Sequence, residues 1–143
     1  MQPQKMRLAS AAISRIPAAA FTTRILIVDQ DRQVGVTLSF MLSARNFDEV
    51  RAVRSTGRAM SITEQFRPEI IFLDLELPDD GTMAVARTLT RDTRRPRPRL
   101  LALTSGSEAA VRDKLRAAGF ERCLEKPVSH EELDKVLGIR VSA

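Results

Sequence analysis

The sequence predicts an α/β fold, a doubly wound five-stranded parallel sheet with five helices. Three observations carry that prediction. Short, continuously apolar runs recur along the chain and end in acidic, hydroxyl or lysine residues; such runs are strands buried on both faces. Between them, apolar residues repeat at helical spacing. Strand and helix alternate strictly, which implies right-handed crossovers and helices on both faces of the sheet.

The first run is Ile25-Leu26-Ile27-Val28, and it stops at Asp29. Val34, Leu38, Met41 and Leu42 then mark an amphipathic helix over about 32–44. Val50 to Val53 reads as a short strand. Ala59, Met60 and Phe66 indicate a helix that Pro68 stops after Arg67. Ile70-Ile71-Phe72-Leu73 is the next apolar strand and ends at Asp74. Ala84, Val85 and Leu89 place a helix from Gly81 to about Asp92. The stretch from Arg94 to Arg99 contains Pro96 and Pro98, so it cannot be helical and reads as a solvated basic loop, with Arg91 beside it. Leu100 to Leu103 is the fourth strand and ends at Thr104-Ser105. Ala110, Val111 and Leu115 mark a helix closed by Gly119, and Arg122 to Glu125 is the last strand, ending at Lys126-Pro127. Ser129-His130-Glu131-Glu132 opens the final helix as a capping box, in which Ser129 and Glu132 satisfy each other's backbone amides. Leu133, Val136 and Leu137 form its buried stripe.

A chain of 143 residues is one domain's worth, and 43% hydrophobic with 29% charged residues is an ordinary balance for a globule with a core. No stretch approaches the roughly 18 apolar residues of a membrane span. One cysteine and one histidine exclude an internal disulfide and the usual zinc sites, and they disfavour Cys-His or Ser-His-Asp hydrolases. Without Trp or Tyr, base stacking would rest on six Phe. The net charge of +5 first points to nucleic acid, until the charge is located. Residues 1–24 hold Lys5, Arg7, Arg15 and Arg24 and no acid, whereas residues 25–143 hold 19 basic and 18 acidic groups. The basicity is mostly a tail. Residues 1–23 are expected to be a disordered extension, with Met6 as an alternative start. An organelle transit peptide or an anionic-surface contact is the other reading, while Arg15 and Pro17 spoil a secretory signal core.

The strand ends decide the function, because ligands of parallel sheets bind beyond the carboxyl ends. There the sequence collects Asp29-Gln30-Asp31, Asp74, Thr104-Ser105 and Lys126-Pro127. Clustered carboxylates repel one another unless a hard cation or a lysine neutralises them. An acidic cup for Mg²⁺, a lysine and a hydroxyl suit a transferred phosphoryl group, and an Asp at the centre can accept it as an aspartyl phosphate. Singly, each residue has a bland reading: Asp after a strand often initiates a turn, and Lys-Pro is usually a turn. The coincidence of all four on the right strands carries the weight.

Over roughly residues 24–139 the chain resembles the receiver domain of two-component response regulators. The matching pieces are Ile25 to Asp29, Arg67 to Pro78, Leu103-Thr104-Ser105 and Leu124 to Pro127, with 45, 30 and 22 residues separating Asp29, Asp74, Thr104 and Lys126. The resemblance implies a flavodoxin-like (βα)5 fold, with residues 24–143 as the receiver. It implies Asp74 as phosphoacceptor for a histidine kinase or histidine phosphotransfer protein. Mg²⁺ would be held by Asp29, Asp74 and the backbone carbonyl of Glu76. Thr104 would hydrogen-bond the phosphoryl group and shift with it, and Lys126 would pair with a phosphoryl oxygen, after a cis peptide before Pro127. The implied protein is a stand-alone cytoplasmic switch, not an enzyme beyond its own phosphorylation and dephosphorylation. Its output is a contact with a downstream protein or a homodimer, without direct nucleic acid or membrane binding. That surface would comprise the helix from about Glu108 to Ala118, the Cys123 strand and the helix from Ser129.

Three departures stand against the family pattern. Gln30 replaces a second metal-binding acid and puts the metal site in doubt; Asp31 or the Glu76 side chain is the candidate replacement. Cys123 occupies the position of the aromatic switch residue, where a small buried hydrophobe is the plainer reading than a redox sensor. The loop Leu77-Pro78-Asp79-Asp80-Gly81 is one residue short. Two alternatives follow. One is a pseudo-receiver that binds partners constitutively. The other is a haloacid-dehalogenase-like phosphatase using Asp29-Gln30-Asp31, which leaves Asp74 without a role. His130, in a capped first turn, is expected to be solvated.

Overall fold

The computed structural model describes residues 23–92, 94–106 and 112–139. The extension over 1–22 and the helical positions Ala110 and Val111 lie outside them. Ten elements alternate: β1 (Arg24–Val28), α1 (Arg32–Ser43), β2 (Glu49–Val53), α2 (Thr56–Phe66), β3 (Ile70–Asp74), α3 (Gly81–Arg91), β4 (Arg99–Thr104), α4 (Arg112–Ala117), β5 (Phe120–Glu125) and α5 (His130–Leu137). All strand pairs are parallel, in the order β2-β1-β3-β4-β5. The expected architecture is present.

The period-2 pleat sends alternate residues of each central strand to opposite layers. Ile25, Ile27, Phe72, Leu101 and Leu103 meet Leu38 and Leu42 of α1 and Leu133 and Val136 of α5. Leu26, Val28, Ile71, Leu73 and Ala102 meet Ala59 and Phe66 of α2, Val85 and Leu89 of α3, and Leu115 of α4. β1 from Ile25 to Val28 and β3 from Ile70 to Leu73 are thus continuously apolar because both of their faces are covered, and β3 is buried at every residue. The edge strand β2 is covered less, which explains its weak sequence signal.

Local chemistry fixes the helix ends. Asp31, Ser55 and Ser129 cap α1, α2 and α5 by accepting from the N–H of Gln33 (2.9 Å), Arg58 (3.2 Å) and Glu132 (3.1 Å). The Ser129 half of the expected capping box is therefore formed; the Glu132 carboxylate stands 3.9 Å from Arg122. The shortened loop before α3 turns through two consecutive left-handed residues, Asp79 and Asp80 (φ 56° and 57°). Gly81 follows, where a Cβ would fall 2.0 Å from Thr56 Oγ1. With glycine here, α3 starts close to α2 without displacing the Thr56 hydroxyl.

Two strand limits differ from the sequence reading. β5 begins at Phe120 rather than Arg122, because a bulge opposite Leu100 and Leu101 restores the pairing one residue out of step. β4 begins at Arg99, so this arginine is no part of a solvated loop. It pairs with Glu121 at 2.5 Å and donates to the Val136 carbonyl at 2.6 Å. His130 is exposed as expected, yet its Nδ1 accepts from Arg45 at 3.0 Å, and the same arginine holds Asp134 at 2.6 Å. Because arginine only donates, the proton of neutral His130 lies on Nε2.

Candidate functional site

The carboxyl ends of β1, β3, β4 and β5 bring Asp29, Asp74, Thr104 and Lys126 together. Asp74 is the last residue of the central strand and is fully buried, and Asp29, directly after β1, is 2% exposed. Lys126 reaches from the end of β5 to both, with its Nζ 3.0 Å from Asp29 Oδ2 and 3.3 Å from Asp74 Oδ1. It also stands 3.7 Å from Glu76 Oε2. Three carboxylates thus share one ammonium group. The Lys126–Pro127 peptide is cis, as the resemblance implies.

Backbone donors complete the arrangement. Glu76 N–H donates to Asp74 Oδ1 at 2.8 Å, and Asp31 N–H donates to Asp29 Oδ1 at 2.8 Å. Asp74 Oδ2 accepts a long bond, 3.4 Å, from Gln30 N–H. Burial pushes the Asp74 carboxyl up to about 6. Its hydrogen bond to the Glu76 side chain and the Asp29 charge push the same way, against the Glu76 amide and Lys126. Burial also pushes Glu76 up, but hydrogen bonds from Asp74 and from both donors of Ser105, with Lys126 nearby, outweigh it and hold Glu76 at about 2. Burial opposes the charge on Lys126, yet its bond to Asp29 and the nearby Asp74 raise its pKa.

Thr104 is nearly buried, accepts from Gly106 N–H at 3.0 Å, and offers its carbonyl to Lys126 N–H at 2.7 Å. A single backbone bond therefore joins the hydroxyl-bearing strand end to the lysine. Cys123 is half-buried and packs on the α2–α3–α4 layer, as expected of a small hydrophobe.

Gln30 and Asp31 divide the roles that the sequence left open. Asp31 caps α1, its Oδ1 accepting from Gln33 N–H, so one oxygen of this carboxylate has a structural task. Gln30 sends its Nε2 to the Glu76 carbonyl at 3.0 Å, so an amide N–H fills the oxygen that the resemblance gives to the metal. Two contacts were missed by the sequence reading. Ser105 donates to Glu76 Oε1 from its hydroxyl (2.5 Å) and its N–H (2.9 Å). Thr82 Oγ1 of α3 donates to the Asp74 carbonyl at 2.5 Å. Ser105 lay beside Thr104 and was legible as a hydroxyl at a strand end; nothing in the pattern of α3 marks Thr82.

Among the described residues, no three His, Cys, Asp or Glu side chains form a metal-holding group. The oxygen set is instead two carboxylates, Asp29 and Asp74, and one carbonyl, Glu76. All three are hard donors of the kind Mg²⁺ takes, and Mg²⁺ commonly uses one or two carboxylates with water. The donor chemistry fits, provided the Gln30 amide releases Glu76.

The response regulator receiver domain family matches residues 25–138. The chain belongs to this family. It is a family of signalling switches, and receivers generally use Mg²⁺ at the phosphorylation site. The chain is 33% identical over 113 residues to the DNA-binding dual master transcriptional regulator RpaA of Synechocystis, a match covering 77% of this chain and 45% of that protein. It spans less than half of that relative's length. The polar-differentiation response regulator DivK of Brucella ovis is 22% identical over 108 residues, covering 75% of this chain and 87% of DivK. Among solved structures, the signal receiver domain of a DNA-binding response regulator from Colwellia psychrerythraea superposes with a TM-score of 0.74 at 18% identity, covering 81% of this chain and 95% of that one. A receiver domain from Bermanella marisrubri gives 0.70 at 26% identity over 81% and 96%. Among the described residues no helix is long and apolar enough to cross a membrane.

Proposed function

We propose that this receiver accepts a phosphoryl group on Asp74 from a histidine kinase or a histidine phosphotransfer protein. An Asp74 carboxylate oxygen attacks phosphorus, the P–N bond of the donor phosphohistidine breaks, and its electron pair stays on the imidazole. The observation that carries the reading is the buried Asp74 at a strand end with Lys126 Nζ 3.3 Å from its Oδ1. A pKa of about 6 leaves Asp74 mostly ionised, hence nucleophilic, at neutral pH. Asp29, Asp74 and the Glu76 carbonyl would hold Mg²⁺, which would offset charge between the carboxylates and the incoming group. Lys126 would turn from Asp74 to a phosphoryl oxygen, and Thr104 would donate its hydroxyl to another.

The output is a protein contact through the exposed face of α4, β5 and α5, where Arg112, Lys114 and Arg116 stand. A backbone bond from Lys126 N–H to the Thr104 carbonyl links the ends of β4 and β5, the strands that α4 and α5 flank in the chain. The Gln30–Glu76 bond favours a second reading, a pseudo-receiver whose metal site is closed and whose partner binding is constitutive. Incubation with acetyl phosphate or phosphoramidate and Mg²⁺, followed by intact mass, separates the two. A phosphoryl adduct absent from Asp74→Asn supports the first. No adduct at any Mg²⁺ concentration, with partner binding retained, supports the second.

A further inference from the structure

At the opposite, amino end of the sheet lies an open groove of about 1040 Å³. It runs under the starts of β1, β3 and β4, between the ends of α2 and α3 and the 94–98 loop. Its floor is apolar, with Phe47, Ile70 and Leu89 each at most 9% exposed. Seven arginines and three acids, Glu64, Glu69 and Asp92, line it, an excess of four positive charges. Three are paired: Arg24 with Glu69, Arg94 with Asp92, and Arg99 with Glu121. Arg67, Arg91, Arg95 and Arg97 have no ion-pair partner among the described residues.

The sequence keeps this groove open and its charge forward. Pro96 and Pro98 supply no N–H, so the loop cannot pair as a strand. Arg95, half-buried, and Arg97, exposed, both line the groove. An arginine placed on a rigid loop loses little freedom when it binds a carboxylate.

We propose that this groove binds an acidic, apolar-containing peptide segment of a partner protein. Charge complementarity selects the acid, and the recessed floor selects apolar side chains between the acids. The chain's own extension is the wrong occupant: Thr23 lines the groove mouth, and residues 1–22 carry Lys5, Arg7 and Arg15 and no acid. Nucleic acid is disfavoured because the only lining aromatic, Phe47, is buried and cannot stack on a base. A bilayer is disfavoured because the apolar groups are recessed rather than projecting.

The test is fluorescence anisotropy of a short labelled peptide of mixed glutamate and leucine. A glutamate-only peptide, a single-stranded oligonucleotide and phosphatidylglycerol vesicles serve as competitors. The glutamate–leucine peptide should bind the full chain, weaken as salt rises, and weaken at least about tenfold in Arg95→Glu/Arg97→Glu. Arg97 is exposed and Arg95 half-buried on the loop, and thermal melting confirms that the variant is folded. Single Arg97→Glu should lose part of the effect. Binding that is absent, that survives both substitutions unchanged, or that the oligonucleotide or the vesicles displace better than the glutamate-only peptide overturns the proposal. The variant's labelling at Asp74 is a separate readout, so failure here leaves the phosphorylation reading standing.

Discussion

The two ends of the sheet hold opposite charge in opposite ways. At the carboxyl end, Asp29 and Asp74 are buried with Lys126 within 3.3 Å of both. At the amino end, arginines stand around an open groove and several have no ion-pair partner among the described residues. The difference is one of dielectric. Buried charge is costly unless paired, so the carboxyl end is tightly coupled and sensitive to each substitution. Exposed arginines are solvated and act independently.

The largest expected effect is on labelling. Asp74→Asn should abolish the phosphoryl adduct, while Arg95→Ala/Arg97→Ala should leave it unchanged. An adduct retained by Asp74→Asn, seen by intact mass, breaks the assignment of the carboxyl end. Next is stability. Lys126→Ala leaves buried carboxylates sharing no ammonium and should lower stability by about 3 kcal/mol in chemical denaturation at neutral pH. The loop arginines, truncated together, should stay within about 0.5 kcal/mol. Equal losses at both ends would end the contrast.

That contrast also shows what the sequence could reveal. Asp29, Asp74, Thr104 and Lys126 were legible because a parallel sheet fixes where strand ends meet, and an apolar run shows where each strand ends. Thr82, the Ser105–Glu76 bonds and the reach of Gln30 to Glu76 were not, because each depends on a loop's path and a side-chain rotamer. Arg99 was misread as loop because its neighbours are prolines and its partner, Glu121, sits at a bulge that no local pattern announces. The groove was hidden for the same reason: its residues come from segments far apart in the chain.

The pH dependence of stability tests the coupling of the acids. The folded pKa of Asp74, about 6, lies above its unfolded value of 3.8. The protonated form therefore favours folding, a contribution fully present below about pH 3.8 and lost as pH rises through 6. Asp74→Asn keeps the neutral form at every pH. Without Mg²⁺ it should match the parent near pH 4 and exceed it by about 2 kcal/mol near pH 8. A difference that does not grow with pH contradicts the burial of Asp74 as the cause.

The smallest effect, and the sharpest, concerns Gln30. Its amide hydrogen bond to the Glu76 carbonyl stabilises the metal-free site by about 1 kcal/mol, the usual worth of such a bond. Gln30→Asp removes that bond and adds a fourth carboxylate to a cluster that one lysine already serves. Without Mg²⁺ the variant should melt lower. With Mg²⁺ the added carboxylate becomes a ligand in place of an amide that had to be displaced, so affinity should rise several-fold. The melting temperatures of the two proteins, plotted against Mg²⁺, should therefore cross. Curves that stay parallel, or a variant more stable at zero Mg²⁺, would show that Gln30 neither closes the site nor competes with the ion. A crossing accompanied by unchanged melting in Arg95→Ala/Arg97→Ala at every Mg²⁺ concentration would confine the coupling to the carboxyl end, where burial makes each charge answer to its neighbours.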